Sequence, residues 1–425
     1  MKKFFISILT QLATGLLRFK KPAVVAVAGS VGKTSTKVAI GVGLQGLSMR
    51  VGAKNFNNEI GVPLAIIGAK RYVHGIWSAV GAILRAVGQY FRFHWPRILV
   101  LELAADHPGD LDPLIRLAKP TVGVLTAITP EHLEFFKDLD AVAKEERKII
   151  SQLPKHGTAV INLDDPLSAE TVGHAPCKVV TYGWHERADV RASDYQWLRD
   201  VSAQPIGIQA KVHFQGNVLP IRLKGAVGKH QFLPILAAVA VGAVFGRNAL
   251  GTIRLLENDY QPPVGRMRLV EGLRGTVIID DSYNSSPAAA EAAIRTLAES
   301  QTIGRKIAVL GEMRELGAAA DEAHQAIGKM TARLGINLLV AVGDHSEQTV
   351  FGARSEGMLE EKIVSVPDPL AAGQWLISRI KEEDIILVKG SQGARMEKTV
   401  KLLMADQSLA QELLPRQTED WLDRP

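Results

Sequence analysis

The stretch Gly29-Ser30-Val31-Gly32-Lys33-Thr34-Ser35 has the residue types and the spacing of a phosphate-binding loop. It follows the apolar run Ala23–Ala28 and precedes a helical pattern that begins near Thr36. Glycines allow backbone N–H groups to close around phosphate oxygens, Lys33 adds a positive charge, and the hydroxyl of Thr34 can hold Mg²⁺. The pattern predicts that a nucleoside triphosphate binds Gly29, Ser30, Gly32, Lys33, Thr34 and Ser35.

Two further groups with metal-binding chemistry follow predicted strands. Glu102 ends the apolar run Ile98–Leu103, and His132 follows the run Val122–Leu125. In α/β proteins, ligands gather at the carboxyl ends of parallel strands. A carboxylate, an imidazole and the Thr34 hydroxyl could together hold Mg²⁺ on a nucleotide phosphate. Taken singly, each group also has a structural explanation, as a helix cap for Glu102 and as a hydrogen-bonded turn residue for His132.

The elements that must position these residues are short apolar runs separated by helical patterns. The runs are continuous rather than alternating, which predicts strands buried on both faces of parallel α/β sheets. They are Val24–Ala28, Ile98–Leu103, Val122–Leu125, Ala159–Asn162, Val277–Asp280, Ile307–Leu310, Leu338–Val342 and Ile385–Val388.

The pattern changes between Asp189 and Leu223. Short runs such as Ile206–Ile208, Val212–Phe214 and Val218–Leu223 predict antiparallel strands that flank the sheet. A helix is then predicted over 231–245. The segment 261–265 contains two prolines and a glycine, so it is predicted to be a linker at a domain boundary.

Bulk composition excludes several classes of protein. The 425 residues suffice for two or three domains, and the contents of hydrophobic residues (47%) and charged residues (22%) are those of a globular protein. The net charge of +6 suits anionic small molecules or a membrane surface. Basic residues do not alternate with aromatic ones, so no nucleic-acid partner is expected. A single cysteine, Cys177, excludes an internal disulfide and fits a reducing cytoplasm.

Two segments raise the question of membrane contact. Near the N-terminus, apolar residues at positions 5, 8, 9, 12 and 16 share one helical face, and lysines and an arginine lie at both ends. Polar residues inside this segment disfavour a membrane span, and no signal-peptide cleavage site follows. The helix is therefore expected either to pack on the protein or to lie at a membrane interface. Ile76–Trp95 has the same two alternatives, a buried helix pair or a lipid-facing platform.

The ordered motifs together resemble the Mur ligase family, which builds the peptide stem of bacterial peptidoglycan. The resemblance covers nearly the whole chain from Ala23 onward. Gly29–Ser35 resembles the family's G-[ST]-N-G-K-T-[ST], and Asn55–Pro63 resembles the N-F-N-N-E-I-G-V-P of the branch that adds a dipeptide. The other matching segments are Glu102-Leu103, Pro130–Glu134, Gly228–Gln231, Gly265-Arg266, Asp280–Asn284, Leu310–Met313, Glu315–Gly317, His324, Lys389–Ser391 and Arg395–Glu397.

The resemblance implies an ATP-dependent amide ligase with a P-loop-type central domain, a mostly parallel sheet, and a Rossmann-like α/β C-terminal domain. A peptide carboxylate would attack the γ-phosphate of ATP, and an amine, D-alanyl-D-alanine, would then attack the resulting acyl phosphate of a muramoyl-peptide. Charge neutralisation by Lys33, Arg266 and Mg²⁺ fits this chemistry, as does a C-terminal domain that closes and excludes water.

Residue roles carried over from the family fall into four groups. The catalytic group is Lys33, His132, Glu146 and Arg266. The ATP-binding residues outside the loop are Gln231, Arg266 and Asp281, of which Asp281 contacts the ribose. The substrate-binding residues are Asn57, Asn58, Lys389, Ser391 and Arg395. The Mg²⁺ ligands are Thr34, Glu102, His132 and Glu146.

Several positions depart from the family pattern. Glu146 aligns with a carboxylated lysine that bridges Mg²⁺, and Lys144 or Lys148 takes that position if the register slips. Val31 replaces the loop asparagine, and Gln231 and Pro234 replace two adenine-side asparagines. Only 1–22 precede the loop strand, so the family's N-terminal UDP-binding domain is expected to be missing or relocated.

These observations define one domain plan and three functional hypotheses. The plan is an amphipathic helix over 1–21, a central ATP-binding domain over 22–262 and a C-terminal domain over 263–425. The leading hypothesis is a cytoplasmic peptidoglycan-precursor ligase acting on small molecules, with peripheral contact to the inner face of the membrane. A ligase acting on another carboxylate, such as folyl- or capsule polyglutamate, is the second. A nucleotide-binding scaffold without ligase activity is the third.

Overall fold

The computed structural model describes residues 2–53, 56–73, 75–130, 134–418 and 421, with the backbone alone at 2, 3 and 76. The chain divides into two compact units. Unit 1 comprises Met1–Asp194, Lys211–Ile221 and Phe232–Tyr260, and unit 2 comprises Tyr195–Ala210, Arg222–Gln231 and Gln261–Pro425. Unit 2 thus includes segments before residue 262, the boundary predicted from the linker; that boundary stays a prediction.

A nine-stranded sheet has the order β2-β3-β1-β4-β5-β6-β7-β8-β9. Its first seven strands in this order pair in parallel. The strands are β1 (Ala23–Ala28), β2 (Met49–Val51), β3 (Ile98–Glu102), β4 (Val122–Leu125), β5 (Thr158–Asn162), β6 (Lys178–Gly183), β7 (Val190–Arg199), β8 (Pro205–Phe214) and β9 (Asn217–Lys224).

Ten helices accompany these strands in the described part of the chain. They are α1 (Lys2–Lys20), α2 (Lys33–Gly43), α3 (Gly61–Ile66), α4 (Gly75–Tyr90), α5 (Leu111–Ala118), α6 (Leu139–Glu146), α7 (Lys148–Ser151), α8 (Pro166–Ala169), α9 (Phe232–Val244) and α10 (Ala249–Asp259). Leu9, Ala13 and Leu16 of α1 are fully buried in the core of unit 1. The N-terminal helix therefore packs on the body of the protein. No helix among the described residues is both long enough and apolar enough to cross a bilayer.

A six-stranded sheet forms the centre of unit 2, in the order β10-β11-β15-β12-β13-β14. The strands are β10 (Arg268–Glu271), β11 (Val277–Asp281), β12 (Lys306–Leu310), β13 (Leu338–Val342), β14 (Ile363–Val366) and β15 (Ile385–Lys389). Only the pair β10–β11 is antiparallel among the described pairings of this sheet. The helices are α11 (Pro287–Glu299), α12 (Ala320–Arg333), α13 (Ser346–Ser355), α14 (Pro369–Ile377), α15 (Glu397–Leu403) and α16 (Ala410–Leu413).

Alternate residues of the central strands of unit 2 enter two separate cores. Ile279 and Leu387 pack with α11 to α13, whereas Ile278 and Ile386 pack with α14 and α15. Helices therefore cover both faces of the sheet, which explains why each strand is a continuous apolar run. The predicted α/β class with mostly parallel sheets is confirmed.

Other details of the prediction are wrong. Ile206–Ile208 and Val212–Phe214 lie in one strand, β8, and β7 to β9 extend the nine-stranded sheet instead of flanking it. Gln215 and Gly216 join β8 to β9 and both have positive φ, which is typical of a two-residue hairpin turn. The predicted helix over 231–245 begins one residue later, because Gln231 belongs to a preceding 3₁₀ turn.

Candidate active site

The loop between β1 and α2 is shaped by two glycines with positive φ. Gly29 has a φ of 125°, and a Cβ atom there would lie 2.2 Å from Oγ1 of Thr126. Gly32 has a φ of 87° and immediately precedes α2. The N–H of Ser30 donates to the carbonyl of Ala127 at 2.7 Å. The backbone therefore favours glycine at both positions, and the loop is held against the segment that follows β4.

Positive potential converges on this loop from a side chain and from a helix. The ammonium of Lys33 donates to the carbonyl oxygens of Gly29 and, at 2.7 Å, of Ser30. The first helical hydrogen bond of α2 runs from the N–H of Thr36 to the carbonyl of Gly32 at 2.9 Å. The N–H groups of the residues that precede Thr36 in the first turn therefore have no acceptor within the helix. Ser35, in this turn, is buried. A lysine beside a helix N-terminus is a suitable environment for phosphate oxygens.

The carboxylate of Glu102 lies in a buried polar cluster at the carboxyl end of β3. The parallel register pairs Glu102 with Val27, two residues before the glycine loop. Its Oε1 atom accepts hydrogen bonds from the Thr34 hydroxyl at 3.2 Å and from the side-chain amide of Asn57 at 3.1 Å. The structure thus brings together three residues that were predicted to serve the site. The Oδ1 atom of Asn58 accepts the N–H groups of Ile60 at 3.3 Å and of Gly61 at 2.9 Å, at the start of α3, and its predicted role in substrate binding stays a prediction.

Lys37 was not predicted from the sequence. Its ammonium forms an ion pair of 2.9 Å with Oε2 of Glu102, and each of the two side chains is only 3% exposed. Lys37 follows Lys33 by four residues on α2, so both lysines lie on one face of the helix. That spacing was a signal in the sequence for a second lysine at the loop.

Thr34 and Glu102 fit the requirements of Mg²⁺. The ion prefers hard oxygen ligands and is commonly bound by one or two protein groups, phosphate oxygens and water. A hydroxyl and a carboxylate in direct contact provide such a pair. Among the residues that the structure describes, no group of three or more His, Cys, Asp or Glu side chains could hold a metal ion without a bound ligand. His132 lies outside the described residues.

Glu146 contacts the loop from the end of α6. Its Oε2 atom accepts the N–H of Gly29 at 2.7 Å, and the side chain is buried. Lys148, one of the two alternatives, is held in ion pairs with Asp112 at 2.6 Å and with Glu145 at 2.7 Å. Burial opposes its charge, but these two carboxylates raise the pKa of Lys148 above its ordinary value.

The ammonium of Lys148 is thus engaged by two carboxylates, those of Asp112 and Glu145. Lys144 is exposed. Of the three candidates for that position, Glu146 is the one with a hydrogen bond to the loop in the part of the chain that the structure describes.

In unit 2, the predicted hinge residues lie against the turn after β11. Gly265 has a φ of 70° and accepts the N–H of Tyr283 at 3.0 Å. The guanidinium of Arg266 stacks over the Tyr283 ring, 4.5 Å from its centroid. The side-chain amide of Gln231 donates to the carbonyl of Arg266 at 3.1 Å, and its Oε1 atom is buried without a hydrogen-bond partner in the described structure.

Asp281 and Lys389, predicted separately for ATP and for substrate, form one buried ion pair. Their charged atoms are 2.6 Å apart, and Lys389 also donates to the carbonyl of Asn284 at 3.0 Å. The parallel register of β11 and β15 explains the contact, because the two residues are direct partners at the carboxyl ends of these strands. Burial raises the pKa of the preceding residue, Asp280, to about 7.

Ser391 and Arg395 form hydrogen bonds with other residues of unit 2. The Ser391 hydroxyl accepts the N–H of Arg314 at 2.9 Å. Arg395 donates to Glu397 at 2.7 Å, and the second oxygen of Glu397 accepts from Arg416 at 2.8 Å. All three side chains of this triad are buried. Arg395 therefore has a structural role that the sequence motif did not indicate.

Comparison with protein-family models places these sites in a family. The model of the Mur ligase middle domain matches residues 27–242, which is more than half of the chain. The model described as Mur ligase, glutamate ligase domain matches residues 265–392.

The chain belongs to the Mur ligase family.

Similar proteins share one printed name. The chain is 29% identical to the UDP-N-acetylmuramoyl-tripeptide–D-alanyl-D-alanine ligases of Mycobacterium bovis and Bacillus subtilis. These alignments cover 95% and 94% of this chain and 76% and 79% of the relatives. A solved MurF ligase from Thermotoga maritima, in complex with ADP, is 27% identical with a TM-score of 0.76, covering 93% of this chain and 83% of that one. This Mur ligase is accordingly an ATP- and Mg²⁺-dependent enzyme that forms C–N bonds.

Proposed function

We propose that this Mur ligase joins D-alanyl-D-alanine to the carboxylate of a muramoyl-peptide in peptidoglycan precursor synthesis, with formation of ADP. One observation carries the proposal. The Gly29–Thr34 loop, with Thr34 in contact with Glu102, occurs in a chain that aligns over more than nine tenths of its length with relatives named for this reaction.

The residues of unit 1 would manage the charge in the first step. Attack of a carboxylate on a phosphoryl group brings two anions together, so cations at the site lower the barrier. Lys33 and the N-terminus of α2 provide positive potential at the loop, and Thr34 and Glu102 would hold Mg²⁺. When bound, Mg²⁺ supplies charge neutralisation at the phosphates. Lys37 would orient the Glu102 carboxylate and provide its counter-charge.

The residues of unit 2 would bind the nucleotide and the incoming amine. The proposed roles are phosphate contact for Arg266, ribose contact for Asp281 and an adenine contact for Gln231, whose buried Oε1 can accept a hydrogen bond from an amino group. Lys389, Ser391 and Arg395 are proposed to bind substrate. The pairing of Asp281 with Lys389 supports a shared function for these two, because displacement of one would leave the other charge buried.

The acceptor is either a soluble UDP-linked muramoyl-peptide or its lipid-linked counterpart. We propose a cytoplasmic location with peripheral contact to the inner face of the membrane. The exposed side chains of Trp77, Leu84 and Phe91 on α4 support this contact. Such contact would bring the enzyme to a lipid-linked acceptor.

The test is Mg·ATP-dependent phosphate release with D-alanyl-D-alanine and each acceptor in turn, with mass spectrometry of the product. A dipeptide adduct with either acceptor supports the proposal. Lys33→Ala should abolish turnover, and Lys119→Ala, at an exposed position away from the loop, should retain it. Phosphate release only with a polyglutamate-type carboxylate would favour the second ligase hypothesis. ATP binding without product from any acceptor would favour the scaffold.

A further inference from the structure

The helix α4 is oriented with its large apolar side chains toward solvent. Ala82, Ala86 and Gln89 are buried on its protein-facing side, where Tyr90 also packs against the core. The large side chains follow the spacing of a single helical stripe on the opposite side and continue into the turn after the helix. We define this α4 surface by Trp77, Val80, Leu84, Val87, Phe91 and Phe93.

The apolar side chains of the α4 surface are both contiguous and highly exposed. The side chains of Trp77, Phe91 and Phe93 are 88%, 78% and 99% exposed. An added Cβ atom at Gly81 or Gly88 would meet nothing within 4 Å, so this side of the helix is open. Contiguous exposed apolar patches on soluble proteins mark interaction sites.

The basic residues beside the aromatic stripe indicate the charge of the partner that binds the α4 surface. Arg85 and Arg92 are exposed beside the stripe, and Lys20, at the end of α1, donates to the carbonyl of Arg92 at 2.9 Å. Burial, followed by the like charges of Arg92 and Arg85, lowers the pKa of the neighbouring Arg50 to about 10. These guanidinium groups therefore create a local field that repels cations and attracts anions.

The sequence segregates charge in the same direction. The first 101 residues contain 14 lysines and arginines and only one acidic residue, Glu59, although acids are nearly as frequent as bases in the chain as a whole. A protein partner with an apolar face could match the stripe, but it would need acidic groups around that face. An anionic bilayer provides both features over its whole surface, because acyl chains accept the aromatic side chains and headgroups accept the arginines.

We propose that the α4 surface docks this Mur ligase onto an anionic phospholipid bilayer, with Trp77, Leu84 and Phe91 in the interface and Arg85 and Arg92 at the headgroups. Only the purpose of membrane docking, which is access to a membrane-bound acceptor, rests on the proposed function. Docking itself requires no reaction, so it is measured separately from ligase activity.

The experiment uses the full chain and vesicles of phosphatidylcholine, with or without phosphatidylglycerol. We expect co-sedimentation with the vesicles that contain phosphatidylglycerol and little with the neutral ones. The variant Trp77→Ser/Leu84→Ser/Phe91→Ser should bind at least about tenfold more weakly. Phe351→Ser, which removes an exposed aromatic ring from α13 in unit 2, is the matched control and should bind like the natural chain.

Electrostatics and packing are tested by two further measurements. Arg85→Gln/Arg92→Gln should weaken binding and reduce its dependence on salt, whereas Arg254→Gln, at an exposed position on α10, should not. Deletion of 1–21 is unsuitable as a test, because Leu9, Ala13 and Leu16 belong to the core. Circular dichroism should show that the serine variant remains folded.

Three results would overturn the proposal. One is equal vesicle binding by the natural chain and the serine variant, and another is no binding by either. The third is a dimer of the natural chain without vesicles that dissociates in the serine variant, which would assign the surface to a second copy. Ligase assays with a soluble acceptor and no vesicles separate the two proposals, because the serine variant should retain full turnover there even if docking fails.

Discussion

Lys37 and Glu102 form a buried ion pair at 2.9 Å, directly behind the Thr34 hydroxyl that shares the same carboxylate. The proposed metal ligand therefore has a buried counter-charge as well as hydrogen bonds from Thr34 and Asn57. A substitution at either residue should affect both the stability of unit 1 and the proposed metal site, because removal of one charge leaves the other buried without a partner.

The first prediction concerns this pair. Lys37→Met should lower the free energy of unfolding by about 3–5 kcal/mol, because it leaves the Glu102 carboxylate buried without its counter-ion. Urea unfolding followed by circular dichroism measures the change. Lys37→Met/Glu102→Gln should be more stable than Lys37→Met alone, because the second substitution removes the uncompensated charge. Additive losses in the double variant would contradict this explanation.

The second prediction concerns the shape of the loop. Gly29→Ala should lower the free energy of unfolding by about 1–3 kcal/mol and impair ATP binding, since the Cβ would collide with Thr126 and φ would be strained. The control is Gly81→Ala, in open space on α4, which should change stability by less than about 1 kcal/mol in the stabilising direction. Thermal unfolding and ATP titration provide the readouts. Equal behaviour of the two variants would show that the loop tolerates a side chain.

The third prediction concerns Glu146. Glu146→Gln should reduce turnover by roughly 10–100-fold if the carboxylate acts at the metal, while the hydrogen bond from Gly29 can be retained by the amide oxygen. Turnover of the natural chain should be independent of added bicarbonate. Glu146→Lys should recover activity only with bicarbonate, because the lysine must first be carboxylated. Bicarbonate dependence of the natural chain would instead implicate a lysine such as Lys144.

The fourth prediction concerns the pH dependence of stability. Burial raises the pKa of Asp280 to about 7 from an ordinary value of 3.8. The folded state therefore binds more protons than the unfolded state between these values, so the contribution of this group is fully present below pH 3.8 and is lost as pH rises to 7. Asp280→Asn should remove this loss. Unfolding of both chains across pH 4–8 should show stabilities that diverge as pH rises, and parallel curves would contradict the assignment.

The strands of both sheets were largely predictable because they are buried on both faces. Val122–Leu125 and Leu338–Val342 have the predicted bounds, and other runs differ by one residue at an end. Strands such as β2 and β10 were missed, since both lie at the edge of a sheet and are only partly buried. Continuous hydrophobicity identifies central strands but has no signal for the edges.

The sequence indicated the phosphate loop but not how its partners meet. Thr34 and Glu102 are 68 residues apart, and only the parallel pairing of β1 and β3 brings them together. The same strand pairing places Glu102 next to Lys37, so the ion pair between them could not be predicted from the sequence alone. The orientation of α4 was equally hidden, because periodicity defines a stripe without showing which side of the helix contacts the protein.

The position of Tyr283 links the C-terminal segment of unit 2 to the predicted hinge. Two guanidinium groups contact its ring, with Arg266 at 4.5 Å and Arg416 at 5.3 Å from the centroid, and its carbonyl accepts a hydrogen bond from Arg416. Arg416 is in turn anchored to Glu397. The segment around residue 416 therefore holds Tyr283 in place, and Tyr283 in turn supports the side chain of Arg266. Proteolytic trimming or fusion at that end would loosen a residue proposed to contact phosphate, although the cut itself would lie far along the chain.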